Sequence, residues 1–426
     1  MTLTVSGRRL TGTAAAPASK SVLHRLLICA ALSDVPTVLE NCSLSQDITA
    51  TAECLRALGA NITVSGTEMT VQPIREVQAN AQLDCGESGS TLRFLLPIAA
   101  ALGGAQFTGR GRLAERPLSP LYELLCDNGC ILSPQGAFPL TVSGKLNGER
   151  FCIDGGISSQ FISGLLLAAP LTGRTCEICV TGTVESRPYI DLTIAAMRRF
   201  GVEVIENGAI FTVPAGSRYR SPGRVAAEGD WSNGAFWLVA AAILREGGLC
   251  VVGLEADSLQ GDRAIAALLC EAGATVGESK DGFCVSGNSL RYPLRVDAAQ
   301  IPDLVPILAV LAAAIPGRSV IYNARRLRLK ESDRLCSVYA MLTALGGTVT
   351  MDEESLTIEG TGQLVGGTVD ACNDHRIAMS AAVAACICEQ PVVINGAEAV
   401  RKSYPSFFKE LAERGMCVCP PYLGEN

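Results

Sequence analysis

Histidine is nearly missing from this chain: His24 and His375 are the only two in 426 residues. That argues against a metal centre built on several imidazoles. Aromatic residues supply only 5% of the sequence, too few to lay an aromatic face along a repeat scaffold. Basic residues are not in excess either. The 35 Lys and Arg against 42 Asp and Glu leave a net charge of −7, which disfavours a general nucleic-acid surface. A small anionic ligand stays open, because its binding depends on local charge. Long hydrophobic runs are also missing. The uncharged stretch 304–317 falls short of the ~18–20 residues that span a bilayer. Arg8 and Arg9 interrupt the N-terminal segment before any apolar leader can form, so a cytoplasmic protein without a membrane partner is expected.

Cysteine, by contrast, is plentiful at 18. With no secretory leader these thiols are expected to stay reduced. Cys176 and Cys179 are spaced as a C-x2-C, but no second pair stands at zinc-module spacing. Most cysteines fall in apolar segments, as Cys29, Cys250, Cys386 and Cys388 do, where they serve as small hydrophobes.

The most informative feature present is a six-fold internal echo. Amphipathic helical patterns end near Gly59, Gly129, Gly201, Gly273, Gly346 and Gly415, at intervals of 70, 72, 72, 73 and 69 residues. Apolar runs that begin near Val22, Thr91, Phe161, Gly234, Leu304 and His375 recur in step. They are apolar on nearly every side and should be buried helices. Each unit therefore reads as strand, buried helix, strand, amphipathic helix and two-strand hairpin, an α/β class of chain.

Six units exceed one core and divide into two domains of three. The sixth unit lacks its return strand. Leu3-Thr4-Val5-Ser6-Gly7 repeats the closing strand of the second unit, Leu140-Thr141-Val142-Ser143-Gly144, and is expected to complete the sixth. The first domain then covers 18–228 and the second 1–17 with 229–426. Two chain crossings, near 14–19 and 228–231, make a plausible hinge.

Polar residues gather where the helices begin. A helix N-terminus offers free N–H groups and a positive dipole end, so Ser, Asp and Asn there are ordinarily caps. Cations oppose that dipole, yet Lys20, Arg116, Arg334, Arg376 and Lys402 all stand at such places. Together they point to bound anions between facing helix arrays. The glycine motifs do not indicate nucleotides: Gly86-Glu87-Ser88-Gly89-Ser90-Thr91 lacks a P-loop lysine, and Gly109-Arg110-Gly111 lacks a third glycine.

Several stretches taken together resemble the 5-enolpyruvylshikimate-3-phosphate synthase family of enolpyruvyl transferases along nearly the whole chain. They are Pro17-Ala18-Ser19-Lys20-Ser21, Ser158-Ser159-Gln160-Phe161, Ser186-Arg187-Pro188-Tyr189, Leu327-Arg328-Leu329-Lys330-Glu331-Ser332-Asp333-Arg334 and Asn373-Asp374-His375-Arg376. The resemblance implies a two-domain inside-out α/β barrel, each domain holding three βαβαββ units about a pseudo-threefold axis, with a cleft that closes on substrate. It implies a monomer that joins shikimate 3-phosphate to phosphoenolpyruvate and needs no metal or organic cofactor.

Carried onto matching positions, the resemblance places Ser158, Ser159 and Ser186 on the 3-phosphate, and Arg25, Gln160 and Tyr189 on the shikimate ring. Ser21, Asp303 and Lys330 would meet its carboxylate and hydroxyls, with Arg326 nearby in place of an asparagine found in other members. Lys20, Arg116, Gln160, Arg334, His375, Arg376 and Lys402 would surround phosphoenolpyruvate, and Gly89 would let it approach the backbone. The chemistry needs a base and an acid on opposite sides of the reacting atoms. Asp303 is the first choice for the hydroxyl proton, while Lys20 and Glu331 compete for the proton at C3. Glu87-Ser88-Gly89-Ser90 stands where some members carry Asn-Ala-Gly-Thr, which leaves the reaction class intact.

The nearest rival, the UDP-N-acetylglucosamine enolpyruvyl transferase, would show Lys-Asn at Lys20-Ser21. It would also carry a reactive cysteine in the loop 112–120, which contains none. RNA 3′-phosphate cyclases use a related unit but would require a basic stripe. A non-catalytic scaffold would spread its polar groups along one face instead of gathering them at helix starts.

Overall fold

The computed structural model describes residues 1–7, 9–244, 248–286 and 290–421; Arg8, one of the two arginines noted above, lies outside the described residues. Helices form where the apolar runs predict them: Lys20–Ala31, Gly89–Leu102, Ser159–Ala168, Trp231–Ile243, Val305–Ala314 and His375–Ala384. Every residue of the last three is buried, as all-round apolarity demands. A fully buried leucine such as Leu308 contributes on the order of 1.5–3 kcal/mol.

The amphipathic helices Gln46–Leu58, Leu121–Asp127, Arg187–Arg199, Ala264–Ala272, Arg334–Ala344 and Phe407–Glu413 lie in register with them. The six glycines of the echo follow these helices with φ between 74° and 115°. That left-handed conformation turns the chain out of a helix and is easy only for glycine.

Six four-stranded sheets share one plan, a parallel pair extended by two antiparallel strands. In the second repeat Gln82–Asp84 runs parallel to Ala105–Thr108, which pairs antiparallel with Leu140–Gly144 and through it with Cys130–Leu132. The first and fourth repeats exchange their opening strands. Gly12–Ala15, just before the first buried helix, joins Leu249–Val252 of the fourth repeat. Arg224–Ala226, just before the fourth buried helix, joins Thr37–Glu40 of the first.

The chain accordingly divides into two compact units, one of Ala18–Glu228 and one of Met1–Pro17 with Gly229–Asn426, each around its own apolar core. The two crossings are bonded to each other on either side of the division. Ser19 N–H donates to Glu228 O within the first unit, and Asp230 N–H to Pro17 O within the second, both at 2.8 Å. The N-terminal strand Thr2–Ser6 lies between Val392–Asn395 and Cys417–Cys419, antiparallel to both.

One expectation fails. Cys250 and Cys284 are not free thiols but form a disulfide, while the other 16 cysteines are free. The two stand directly opposite on adjacent antiparallel strands with their Cα atoms 4.0 Å apart. Cross-strand register sets that proximity, and the spacing of cysteines along the chain does not reveal it. Among the described residues, no helix is long and apolar enough to cross a membrane.

Candidate active site

In the unit Ala18–Glu228, side chains of the candidate site stand at the starts of the three buried helices. Ser19, Ser88 and Ser158 cap them, accepting from the backbone N–H groups of Val22, Thr91 and Gln160. Lys20, the first residue of its helix, directs Nζ to Asp47 Oδ2 at 2.8 Å. Asp47 lies in the first turn of Gln46–Leu58, where an acid suits the dipole.

Arg25 is buried. Its guanidinium donates to Ser21 O (2.6 Å), Tyr189 O (2.8 Å), Thr193 Oγ1 (2.7 Å) and Ser163 Oγ (3.3 Å). Burial lowers its pKa to about 10, with Tyr189 and Cys29 opposing. These bonds fix the backbone at two predicted site residues, Ser21 and Tyr189. His24 Nδ1 is 2.7 Å from Thr51 Oγ1. Burial, then Lys20 and Arg25, push its pKa well below the ordinary value, so the ring is a neutral part of the core.

Gln160 links two helix starts. Its Oε1 accepts from Arg93 Nη1 at 2.9 Å, and its Nε2 donates to Ser90 Oγ at 2.8 Å. Arg93 also donates to Pro117 O at 3.1 Å. Gly164 has a structural role here, since a Cβ on it would strike the carbonyl of Arg93 in the neighbouring helix. Gly89 lies against Arg116: a Cβ at Gly89 would fall 2.6 Å from Arg116 Cζ. Ser159 is buried, and so is Ser186, which holds φ 55° and ψ 40° at the start of Arg187–Arg199. A serine in that left-handed region carries about 1 kcal/mol of strain, a feature that clusters at ligand sites.

The other unit centres on Arg334, fully buried at the first turn of Arg334–Ala344. Its Nε donates to Asp374 Oδ2 (2.8 Å), Nη1 to Asp303 Oδ1 (2.7 Å) and Nη2 to Glu331 Oε2 (2.5 Å). Asp303 Oδ1 is also 3.3 Å from Lys330 Nζ, and Asp303 Oδ2 is 3.6 Å from Arg376 Nη2. Arg376 Nη1 donates to the main-chain oxygen of Asp303 at 3.1 Å. Burial lowers the pKa of Lys330 against the pull of Asp303, and Arg326 is among the nearby charges that act on it.

Asp374 caps His375–Ala384 and accepts from Ser332 Oγ at 3.1 Å. His375 is buried at that helix start. Lys402 Nζ donates to Asn373 O at 2.7 Å.

Three of the five cations read as helix-start residues, Lys20, Arg334 and Arg376, stand in the first turn of an α-helix. The other two do not. Arg116 follows the 3-10 turn Gly111–Glu115, and Lys402 ends the 3-10 turn Ala397–Lys402. Pro117 and Pro120, and Pro405 after Lys402, delay the next helix in each case, because proline restricts the residue before it from helical geometry. Arg93, Asp47 and Asp374 belong to these clusters although sequence reading assigned them no role. Arg93 lies two residues past the glycine motif 86–91 and Asp374 lies inside a quoted motif, so both had a signal; Asp47 had none.

The model of one protein family, described as EPSP synthase (3-phosphoshikimate 1-carboxyvinyltransferase), matches residues 5–411. A 3-phosphoshikimate 1-carboxyvinyltransferase of Clostridium kluyveri is 40% identical over 417 residues, covering 97% of each chain. The protein of that name from Clostridioides difficile is 39% identical over 423 residues, covering 96% of each. Among solved structures, an EPSP synthase from Acinetobacter baumannii superposes with a TM-score of 0.81 at 25% identity, over 98% of this chain and 99% of that one. The enolpyruvyl transferase NikO of Streptomyces tendae shares the fold at a TM-score of 0.76 and 19% identity, over 98% of both chains.

Proposed function

The chain belongs to the EPSP synthase family, and we propose how its own residues carry out that family's reaction. It transfers the enolpyruvyl group of phosphoenolpyruvate to the 5-hydroxyl of shikimate 3-phosphate and releases phosphate, on the shikimate route to chorismate and the aromatic amino acids. The hydroxyl adds to C2 while C3 gains a proton. The tetrahedral adduct then loses phosphate and a proton from C3. Both steps need positioned proton carriers and fixed positive charge.

The observation that carries the assignment of roles is the cluster around Arg334. One buried guanidinium orients Asp303, Glu331 and Asp374 at once, and Asp303 is further flanked by Lys330 and Arg376. Asp303 takes the proton of the 5-hydroxyl, and Glu331 or Lys20 serves C3. We assign Arg376, His375, Lys402 and Arg334 to phosphoenolpyruvate, with Arg334 also holding the carboxylates in place. Lys20, Arg116 and Gln160 are assigned to it as well, beside Gly89.

Ser158, Ser159 and Ser186 take the 3-phosphate. Ser21, Gln160, Tyr189, Asp303, Lys330 and Arg326 orient the ring and its carboxylate, and Arg25 acts through the Ser21 and Tyr189 carbonyls that it holds. We assign the chain to the cytoplasm as a monomer that works on small molecules and not on nucleic acid; a net charge of −7 supports the last point.

Phosphate release from phosphoenolpyruvate, measured with shikimate 3-phosphate and separately with UDP-N-acetylglucosamine, tests the reading. Turnover with the first alone is expected, and release only with the second would overturn it. Gly89→Ala is a sharper probe of the phosphoenolpyruvate contacts. The new methyl displaces the Arg116 guanidinium, so the KM for phosphoenolpyruvate should rise, by up to about a hundredfold if the misplacement approaches 1 Å. The KM for shikimate 3-phosphate should change far less; equal increases in both would refute the assignment.

A further inference from the structure

The strand Cys417–Cys419 takes no part in the chemistry above. It is the outermost strand of its sheet and pairs on one side with Thr2–Ser6. Val418 is buried, while Cys417 and Cys419 are exposed on the opposite face, as the two-residue period of a strand requires. That alternation sets the two thiols side by side, their Sγ atoms 3.8 Å apart. Cys417 stands opposite Ser6 and Cys419 opposite Thr4, so the residues beside them on the adjoining strand are small hydroxyls. Met416 turns inward, with its Sδ 3.9 Å from the buried Sγ of Cys386, and does not share the site. Cysteine ordinarily earns its place as a small buried hydrophobe. Packing therefore explains Cys386 but not the exposed pair.

We propose that Cys417 and Cys419 form a reversible dithiol–disulfide site that reacts with low-molecular-weight disulfides. The thiolate of one cysteine attacks a sulfur of the small disulfide, and a mixed disulfide forms as one small thiolate leaves and takes up a proton. The second cysteine then gives up its proton and attacks the protein sulfur of that bond. A bond forms between Cys417 and Cys419, and the second small thiol departs. The two cysteines lose two electrons in all, and the small disulfide is reduced to two thiols.

The geometry favours the second step because the resolving sulfur already touches the first. It also makes the product labile. Two residues of a strand advance about 6.6 Å, near the upper end of the Cα separations that a disulfide bridges. Closing the bond draws the strand in, and exposed or strained disulfides of this kind are readily reduced again. The resting state is the dithiol, as both cysteines are free.

The experiment treats the full chain with oxidised glutathione, blocks the remaining thiols with iodoacetamide under denaturing conditions, and maps the peptides by mass. It needs no turnover, so it stands apart from the reading of function. The peptide that follows Arg414 holds both cysteines. It should lose the mass of two hydrogens, carry no glutathione and resist alkylation until a small thiol is added in excess. Cys270 and Cys372 are exposed free thiols that bond no other sulfur among the described residues, and they should keep the glutathione adduct. Cys419→Ser should trap the adduct on Cys417, and Cys417→Ser should trap it on Cys419. Either a lasting adduct on the pair in the unaltered chain, or a pair still fully alkylated once Cys270 and Cys372 have reacted, would overturn the proposal.

Discussion

Arg334→Met should lower the free energy of unfolding by about 3–5 kcal/mol, the range found when one member of a buried ion cluster is removed. The side chain is fully buried and bonds three carboxylates, those of Asp303, Glu331 and Asp374. Burial alone would disfavour its charge, but those three acids hold it protonated more firmly than an ordinary arginine. Methionine fills much of the volume and leaves the acids facing one another without a counter-charge, so they must take up protons or draw in water. Asp374 suffers most, since it is wholly buried and also caps His375–Ala384. Arg334→Lys keeps the charge and loses the fork, so it should fall between the two. A urea titration decides the matter: a loss for Arg334→Met below about 1 kcal/mol, the scale of an exposed pair, would mean that the cluster is not desolvated as described.

Asp303→Asn should reduce kcat by about 10²- to 10⁴-fold, the usual contribution of a positioned base, with much smaller changes in either KM. Asparagine keeps the shape and an oxygen for Arg334 or Lys330 but cannot accept the hydroxyl proton. Its loss of charge also leaves Lys330 and Arg376 less well balanced, so some loss of stability should accompany it and is measured alongside. Turnover within tenfold of wild type would remove Asp303 from the base role and pass it to Glu331 or Lys20. An equal fall in kcat and in affinity for shikimate 3-phosphate would make Asp303 a binding group.

The architecture was legible because burial leaves periodic marks. Runs such as 304–315 are apolar on all sides and became helices buried on all sides, and the glycines from Gly59 to Gly415 mark the ends of the amphipathic helices. Pairings between distant segments were legible only where the sequence echoed itself, as Leu3–Gly7 echoes Leu140–Gly144. The exchange of Gly12–Ala15 and Arg224–Ala226 between repeats left no such echo, because three- and four-residue strands carry too little pattern. At the site, capping serines and motif residues could be read from helix starts. Arg116 and Lys402 were misplaced because a 3-10 turn followed by proline imitates the opening of a helix. Asp47 was missed for another reason: it gains its meaning from Lys20, a partner 27 residues away.

The place of Thr2–Ser6 in its sheet sets an order of events on the ribosome. Residues 18–228 form a contiguous unit and can close while the rest of the chain is still being made. The strand Thr2–Ser6 emerges before them, yet its neighbours Val392–Asn395 and Cys417–Cys419 are made only after that unit and most of the second. At roughly 5–20 residues per second, the nascent chain carries an unpaired Thr-Leu-Thr-Val-Ser strand for tens of seconds, with both edges open to other chains. The second unit therefore completes its fold only once Cys417–Cys419 has left the ribosome, and that interval is when chaperone occupancy of Thr2–Ser6 should be greatest.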